Sequence, residues 1–366
     1  MKPSDCFSIV WVIRRRQPFD YHVSGGGILN KPFWNWLLVI LSSIGLILFL
    51  VYTEGLENIT RMFGMMDYRW LAVALASTVL FWVVDAAVLS MILRYQSRSL
   101  SYGTCLRSSL IGMMFGLITP LQSGNIAAQV VVLRQQGLDS GDAVAVMLVK
   151  NIVMMLSSLV LMSSAVLLKG TALYDQAPGF FWIVMLGILL NLLFITAMVV
   201  AGVRENLVRS VVLAGVRFLA ALHIIKHPEA ATERISVTIG RLHANFMAVR
   251  AQTGMVLRGT ILGLLGMLGT YQISYFLYRG FGLASADYPE VVAGQIFSMT
   301  IQSIVPLPGG IGVTDGGFYF ILISLFTKTF INFALIFWRF FTFYLPIFAG
   351  MIALAGFKRK LKEQVA

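Results

Sequence analysis

Ile304-Val305-Pro306-Leu307-Pro308-Gly309-Gly310-Ile311-Gly312-Val313-Thr314-Asp315 cannot form a continuous helix, yet it lies between runs suited to a bilayer. Proline removes a backbone donor and glycine weakens a helix, so the two prolines and three glycines in this stretch end any helix that reaches it. Residues 291–300 before it and 318–326 after it are apolar enough to sit in hydrocarbon. A second break, Thr119-Pro120-Leu121-Gln122-Ser123-Gly124-Asn125, interrupts an apolar stretch in the first half of the chain. Broken backbone at membrane depth is tolerated only where protein or a water-filled cavity satisfies its polar groups. Two such breaks in corresponding places point to a binding site between them.

The composition agrees. The chain has 366 residues, of which 58% are hydrophobic and 12% charged, and its mean hydropathy is +0.82. Soluble domains carry about 25% charged residues, so this is an integral membrane protein. Its net charge of +12 fits basic loops on the cytosolic face and gives no reason to expect nucleic acid. Cys6 and Cys105 form neither a disulfide framework nor a metal-ligand pattern. His223 and His227 are four apart but have no third ligand, and no cofactor or metal is expected.

Span length and charge bias predict an all-α polytopic protein with about six full spans and two re-entrant hairpins. Residues 1–31 read as a basic cytosolic tail. Full spans are expected at 33–52 (with Trp34 and Trp36 at the interface), 70–93, 140–168, 180–203, 256–278 and 329–357. Residues 105–137 begin near Arg107 and end near Arg134, so this segment enters and leaves on the cytosolic side. Residues 288–327 begin near Asp287 and end at Lys328, and are expected to enter from the outside. The hairpins are then oppositely oriented and the fold is an inverted repeat, N-in and C-in. The first membrane repeat covers 32–203 and the second 255–357. Between them, 204–254 is a cytosolic connector rich in arginine. Its apolar positions Val211, Val212, Val216, Leu219 and Leu222 recur at helical spacing, which fits either an amphipathic helix on anionic lipid or a solvated connector. Residues 358–366 form a basic tail.

Each hairpin precedes a full span that carries one cation. Lys150 lies about ten residues after Ser140, and Arg339 about ten after Thr329, so each is roughly 15 Å deep from its own face. At the midplane a charge costs at least about 2.5–3.5 kcal/mol without a partner. Two readings follow: internal ion pairs with Asp85 and Asp315, or a cationic cavity for an anionic head group. In the second, Lys150 and Arg339 hold phosphate while half-helix amides and Asp315 orient the head group. Ser123 or Asn125 is expected to cap the first half-helix and Thr314 the second. Gly124, Gly309, Gly310 and Gly312 would let backbone approach a ligand closely. Thr119, Pro120, Gln122, Gln129, Pro306 and Pro308 complete the expected substrate-binding set, with Asp85 as an ion-pair or relay residue. No catalytic constellation is present. A transferase would have only Asp85 and Asp315 as candidate bases, and a non-transporting scaffold for a partner enzyme is a third reading.

Pro308-Gly309-Gly310-Ile311-Gly312-Val313-Thr314-Asp315 resembles the Pro-Gly-Gly-Leu-Gly-Val-x-Glu signature of the flippase-like, lysylphosphatidylglycerol synthase transmembrane-region family. Pro120-Leu121-Gln122-Ser123-Gly124-Asn125 is similar to that family's earlier Pro-x-x-Gly-Gly-Glu motif, with Ser123 replacing glycine and Asn125 replacing glutamate. Lys150 and Gln129 stand where the family often has arginine, and Arg339 with Pro346 and Gly350 matches the closing helix. The resemblance runs from Trp34 to Gly356. It implies translocation of an anionic or aminoacylated phospholipid, or a related lipid-linked head group, across a bacterial cytoplasmic membrane. The implied partners are membrane phospholipids, with a homo-oligomer or a separate lipid-synthesising enzyme as further candidates. The sequence ends at Ala366, so the cytosolic lysyltransferase chemistry of longer relatives is expected to be absent.

Overall fold

A computed structural model describes residues 64–96, 98–221, 252–302, 304–305 and 307–365, with short helical pieces between 236 and 248. The basic tail 1–31, the expected span 33–52, residues 222–235 of the connector and Pro306 lie outside the described residues. Those described form helices and turns, with no strand.

The first half contains α1 (Tyr68–Tyr95), α2 (Tyr102–Leu117), α3 (Ser123–Gln135), α4 (Ser140–Gln176), α5 (Pro178–Val203) and α6 (Glu205–Ala221). The second contains α7 (Thr253–Tyr271), α8 (Ile273–Gly280), α9 (Tyr288–Gln302), α10 (Val313–Leu322), α11 (Lys328–Arg339) and α12 (Leu345–Val365). Local chemistry sets several starts. The Asp67 carboxylate accepts the Arg69 N–H at 2.9 Å to cap α1, the Ser101 hydroxyl accepts the Thr104 N–H at 3.3 Å to cap α2, and Pro178 opens α5. Among the described residues five segments are long and apolar enough to cross a membrane: Tyr68–Tyr95, Ser140–Gln176, Pro178–Val203, Thr253–Gly280 and Phe330–Phe357. Each overlaps an expected span.

At both sequence breaks the chain reverses. Helix α2 packs along α3, and α9 along α10, across short 3-10 turns at Pro120–Gln122 and Pro308–Gly310. Each turn opens with proline and then enters left-handed backbone. In the second turn glycine supplies it, with φ 59° at Gly309 and 64° at Gly310. In the first, Leu121 and Gln122 hold φ of 51° and 54° without that freedom.

The two halves pack in a reciprocal way. Helix α1 lies antiparallel to α7 and α8, because Ser77 meets Gly269, Val84 meets Gly266, Met91 meets Gly259 and Trp70 meets Gly280. The Gly259 and Gly263 face is therefore used within the chain, against Met91 and Val153, and against Ser157 and Met154. The first hairpin's α2 rests on α12 of the second half, while the second hairpin's α9 rests on α4 of the first. The turns touch each other. Between α11 and α12 the helix widens into a π segment at Phe340–Tyr344. Pro346 explains it: its ring crowds the preceding turn and it has no N–H to give, so the ladder shifts register there.

Candidate functional site

Lys150 projects from α4 and is 2% exposed. Its ammonium donates to Asp85 Oδ2 at 2.6 Å, Gln129 Oε1 at 3.0 Å and Ser109 Oγ at 3.3 Å. An ammonium has three donors, and here an acceptor from each of α1, α3 and α2 meets one. Gln129 Nε2 then donates to Asn125 Oδ1 at 2.5 Å. Gly112 and Gly116 on α2 leave room for this amide chain, since a Cβ at Gly112 would come within 2.5 Å of the Gln129 side chain. The substitutions that weaken the first family motif thus form a neutral relay, Asn125 to Gln129 to Lys150, with Asp85 supplying the acid from another helix.

The second cation is also paired. Arg339 reaches Asp315 through Nε and Nη2, the latter at 2.7 Å, and Nη1 donates to the Gly309 carbonyl at 3.0 Å. Asp315 Oδ2 in turn accepts the Gly312 N–H at 2.8 Å. The guanidinium lies 5.3 Å from the Trp338 ring centre and 5.4 Å from that of Phe343. Phe343 fills the space a Cβ on Gly309 would need, 2.1 Å away. Arg339 and Asp315 therefore pin the second turn to the π segment.

The helix caps differ from expectation. Ser123 Oγ turns back to the Pro120 carbonyl at 2.9 Å, and Asn125 is engaged by Gln129. Thr119 does the capping instead: its Oγ1 accepts the Gly124 N–H at 2.8 Å while donating to the Phe115 carbonyl at 2.7 Å. In the second hairpin Asp315 takes the role given to Thr314, whose buried hydroxyl finds no partner among the described residues. Thr119, ahead of the first turn, and Asp315, one turn into its helix, reach the free amides in place of the expected caps.

A cavity of about 330 Å³ opens beside Lys150. The structure brings Asp85, Gln122, Asn125, Gln129 and Lys150 together in its wall. Pro120, Ser123 and Gly124 lie in or next to the first turn but outside the lining, and Pro308, Gly309, Gly310, Gly312, Thr314, Asp315 and Arg339 form the separate knot at the second turn. The π segment links the two, because Phe341 and Thr342, two and three residues after Arg339, line the cavity with Pro346. Sequence reasoning missed Trp82, Asn151, Asn191, Thr270 and Tyr271, which also line it. Asn151 and Asn191 carried a readable signal, as lone carboxamides in otherwise apolar spans, where polar groups are costly and functional by default.

The family model for the lysylphosphatidylglycerol synthase TM region matches residues 36–350, which include both hairpins, both cations and the cavity. The chain belongs to that family. A search of curated proteins finds no match. As a lysylphosphatidylglycerol synthase TM-region protein, the chain is a multi-pass membrane protein with a lipid-related role. The carboxylate beside the α4 cation comes from α1.

Proposed function

We propose that this chain translocates a lipid head group across a bacterial cytoplasmic membrane. Its hairpins would enter from opposite faces, N-in and C-in, and the lipid would be an anionic or aminoacylated phospholipid or a related lipid-linked head group. One observation carries the reading: the turns of two broken hairpins meet beside a cavity whose polar wall comes from both halves of the chain. The cavity sits among helices long enough to cross a bilayer, where a polar wall is retained only at a cost. Repeats in which α1 runs antiparallel to α7 and each hairpin leans on the span that follows the other hairpin suit alternate opening around a fixed site.

In this reading Lys150 is the cation that meets the head group, because it lines the cavity, and Asp85 holds its charge between turnovers. Arg339 acts through Asp315 and the Gly309 carbonyl to keep the second turn in place, so it is a positioning residue. Asp85 and Asp315 each spend a carboxylate on a cation, which leaves a transferase without a free base and favours transport.

The test is reconstitution in phosphatidylcholine liposomes with fluorescent phospholipids and glycolipids, reading inner-leaflet label by its protection from a membrane-impermeant quencher. Protein-dependent loss of protection is expected for at least one lipid, with Lys150→Ala slowing it about tenfold or more and Lys150→Arg retaining a measurable rate. No protein-dependent movement of any of them, from protein that melts cooperatively, would overturn the proposal.

A further inference from the structure

Three buried polar atoms in the cavity wall have no hydrogen-bond partner among the described residues: Trp82 Nε1, Asn191 Oδ1 and Thr270 Oγ1. They come from α1, α5 and α7, so no single local irregularity accounts for them. Buried polar groups are nearly always paired, and a cluster of exceptions around one cavity marks where a partner is received. Asn151, in the same wall, offers its amide only to the sulfurs of Met155 and Met198, at 3.5 and 3.4 Å, which are weak acceptors.

The chemistry of the set restricts what can satisfy it. An indole N–H only donates, a carboxamide oxygen only accepts, and a threonine hydroxyl does either. A bare anion can take the indole proton but has nothing to give Asn191, and it meets Asp85. An ammonium can serve Asn191 but has nothing to accept from Trp82, and it meets Lys150. Among the described residues of the lining the charged side chains are Asp85 and Lys150, bound to each other at 2.6 Å, so this wall selects for neither sign. A hydroxyl group both donates and accepts. Trp82 Nε1, Asn191 Oδ1 and Thr270 Oγ1 are closed to water as they stand, so their side chains must turn to meet a ligand. Several hydroxyls on one small frame would then satisfy them and Asn151 together, while aromatic Phe81, Trp82 and Tyr271 in the lining suit the C–H side of such a frame. The volume of about 330 Å³ is that of a head group rather than of a whole lipid. Met154, Met155 and Met162 give the wall a soft apolar surface past which differently shaped groups can move.

We infer that the cavity receives an uncharged, polyhydroxylated head group, a sugar or polyol carried on a lipid. This rests on the lipid-handling reading above and, among its candidates, selects the related lipid-linked head group over the anionic or aminoacylated phospholipid.

The test is binding of short-chain lipids to the full protein in phosphatidylcholine nanodiscs by native mass spectrometry, which does not depend on transport. The probes are dioctanoyl glucosylglycerol, dioctanoyl phosphatidic acid, dioctanoyl phosphatidylethanolamine and free glucose. The glucosyl lipid is expected to bind at least about tenfold more tightly than either charged-head probe. Each of Trp82→Phe, Asn191→Leu and Thr270→Val should reduce that preference about fivefold, the worth of a typical net hydrogen bond. Equal or tighter binding of phosphatidic acid or phosphatidylethanolamine would overturn the inference, as would a glucosyl preference untouched by all three variants. Selective glucosyl-lipid binding by protein that moves no lipid would sustain it and overturn the transport proposal. Glucose alone binding as tightly as the glucosyl lipid would sustain the head-group chemistry and overturn its attachment to a lipid.

Discussion

Lys150 and Asp85 are 65 positions apart in sequence and 2.6 Å apart in space, with side chains 3% and 9% exposed. Removing one member of such a pair strands a charge. Asp85→Leu alone should therefore cost about 3–5 kcal/mol, and Asp85→Leu combined with Lys150→Met should recover most of it, read from thermal unfolding in detergent. At the two turns the same backbone is made from different residues, and the variants should move in opposite directions. Gly309→Ala places a Cβ 2.1 Å from the Phe343 ring at a φ of 59°. It should lower stability by about 2 kcal/mol or more, since a clash adds to left-handed strain. Leu121→Gly relieves a left-handed leucine whose side chain is exposed, and should raise stability by about 0.5–1 kcal/mol in the same assay. The turns were legible in the sequence because proline and glycine act on their own backbone. Whether the cations sit in ion pairs was not, because nothing local in the sequence joins α1 to α4. The neutral relay through Asn125 and Gln129 likewise needs the geometry of three helices before it means anything.

Among the elements, α7 and the π segment shape the cavity in different ways. Helix α7 turns glycines toward α1 and α4, and Ser157 Oγ donates to the Thr260 carbonyl at 3.0 Å across that contact. A Cβ at Gly263 would lie 2.4 Å from Ser157 Oγ. Gly263→Leu should push the helices apart and cost about 2–3 kcal/mol, with a matching fall in the melting temperature. The π segment is a different kind of dependence. Pro346→Ala restores the missing N–H and should let Phe340–Tyr344 return to α-helical register. That would rotate Phe341 and Thr342 out of the cavity wall and loosen Phe343 from Gly309. Transport should fall several-fold while the melting temperature changes little, which separates a shaping role from a stabilising one. A proline inside an apolar span announces a kink in the sequence, but which side chains the altered register presents is decided by the neighbours it packs against.

For the whole molecule, the proposed arrangement fixes which loops share a face. Single cysteines at Ser101 and Gly137, both exposed beside the first hairpin, should react only with reagent on the cytosolic side. Single cysteines at Asp287 and Lys328, both exposed beside the second, should react only from outside. All four reacting from one side would overturn the inverted arrangement. The buried Cys105 gives little background, and Cys6 is replaced in the labelled protein. Five of the expected spans were readable because length and hydropathy are properties of a segment alone, while the expected span 33–52 lies outside the described residues. The crossed packing was not, since it depends on which of many apolar faces meet. It carries a consequence in time. Among the described helices α2 is made early, and the helix it rests on, α12, is made after the others. The first hairpin must therefore wait in the membrane without its permanent neighbour until α12 has been made. A nascent chain halted after α5 will hold that hairpin open to a membrane chaperone, and insertion of α12 is the moment at which both turns close on each other.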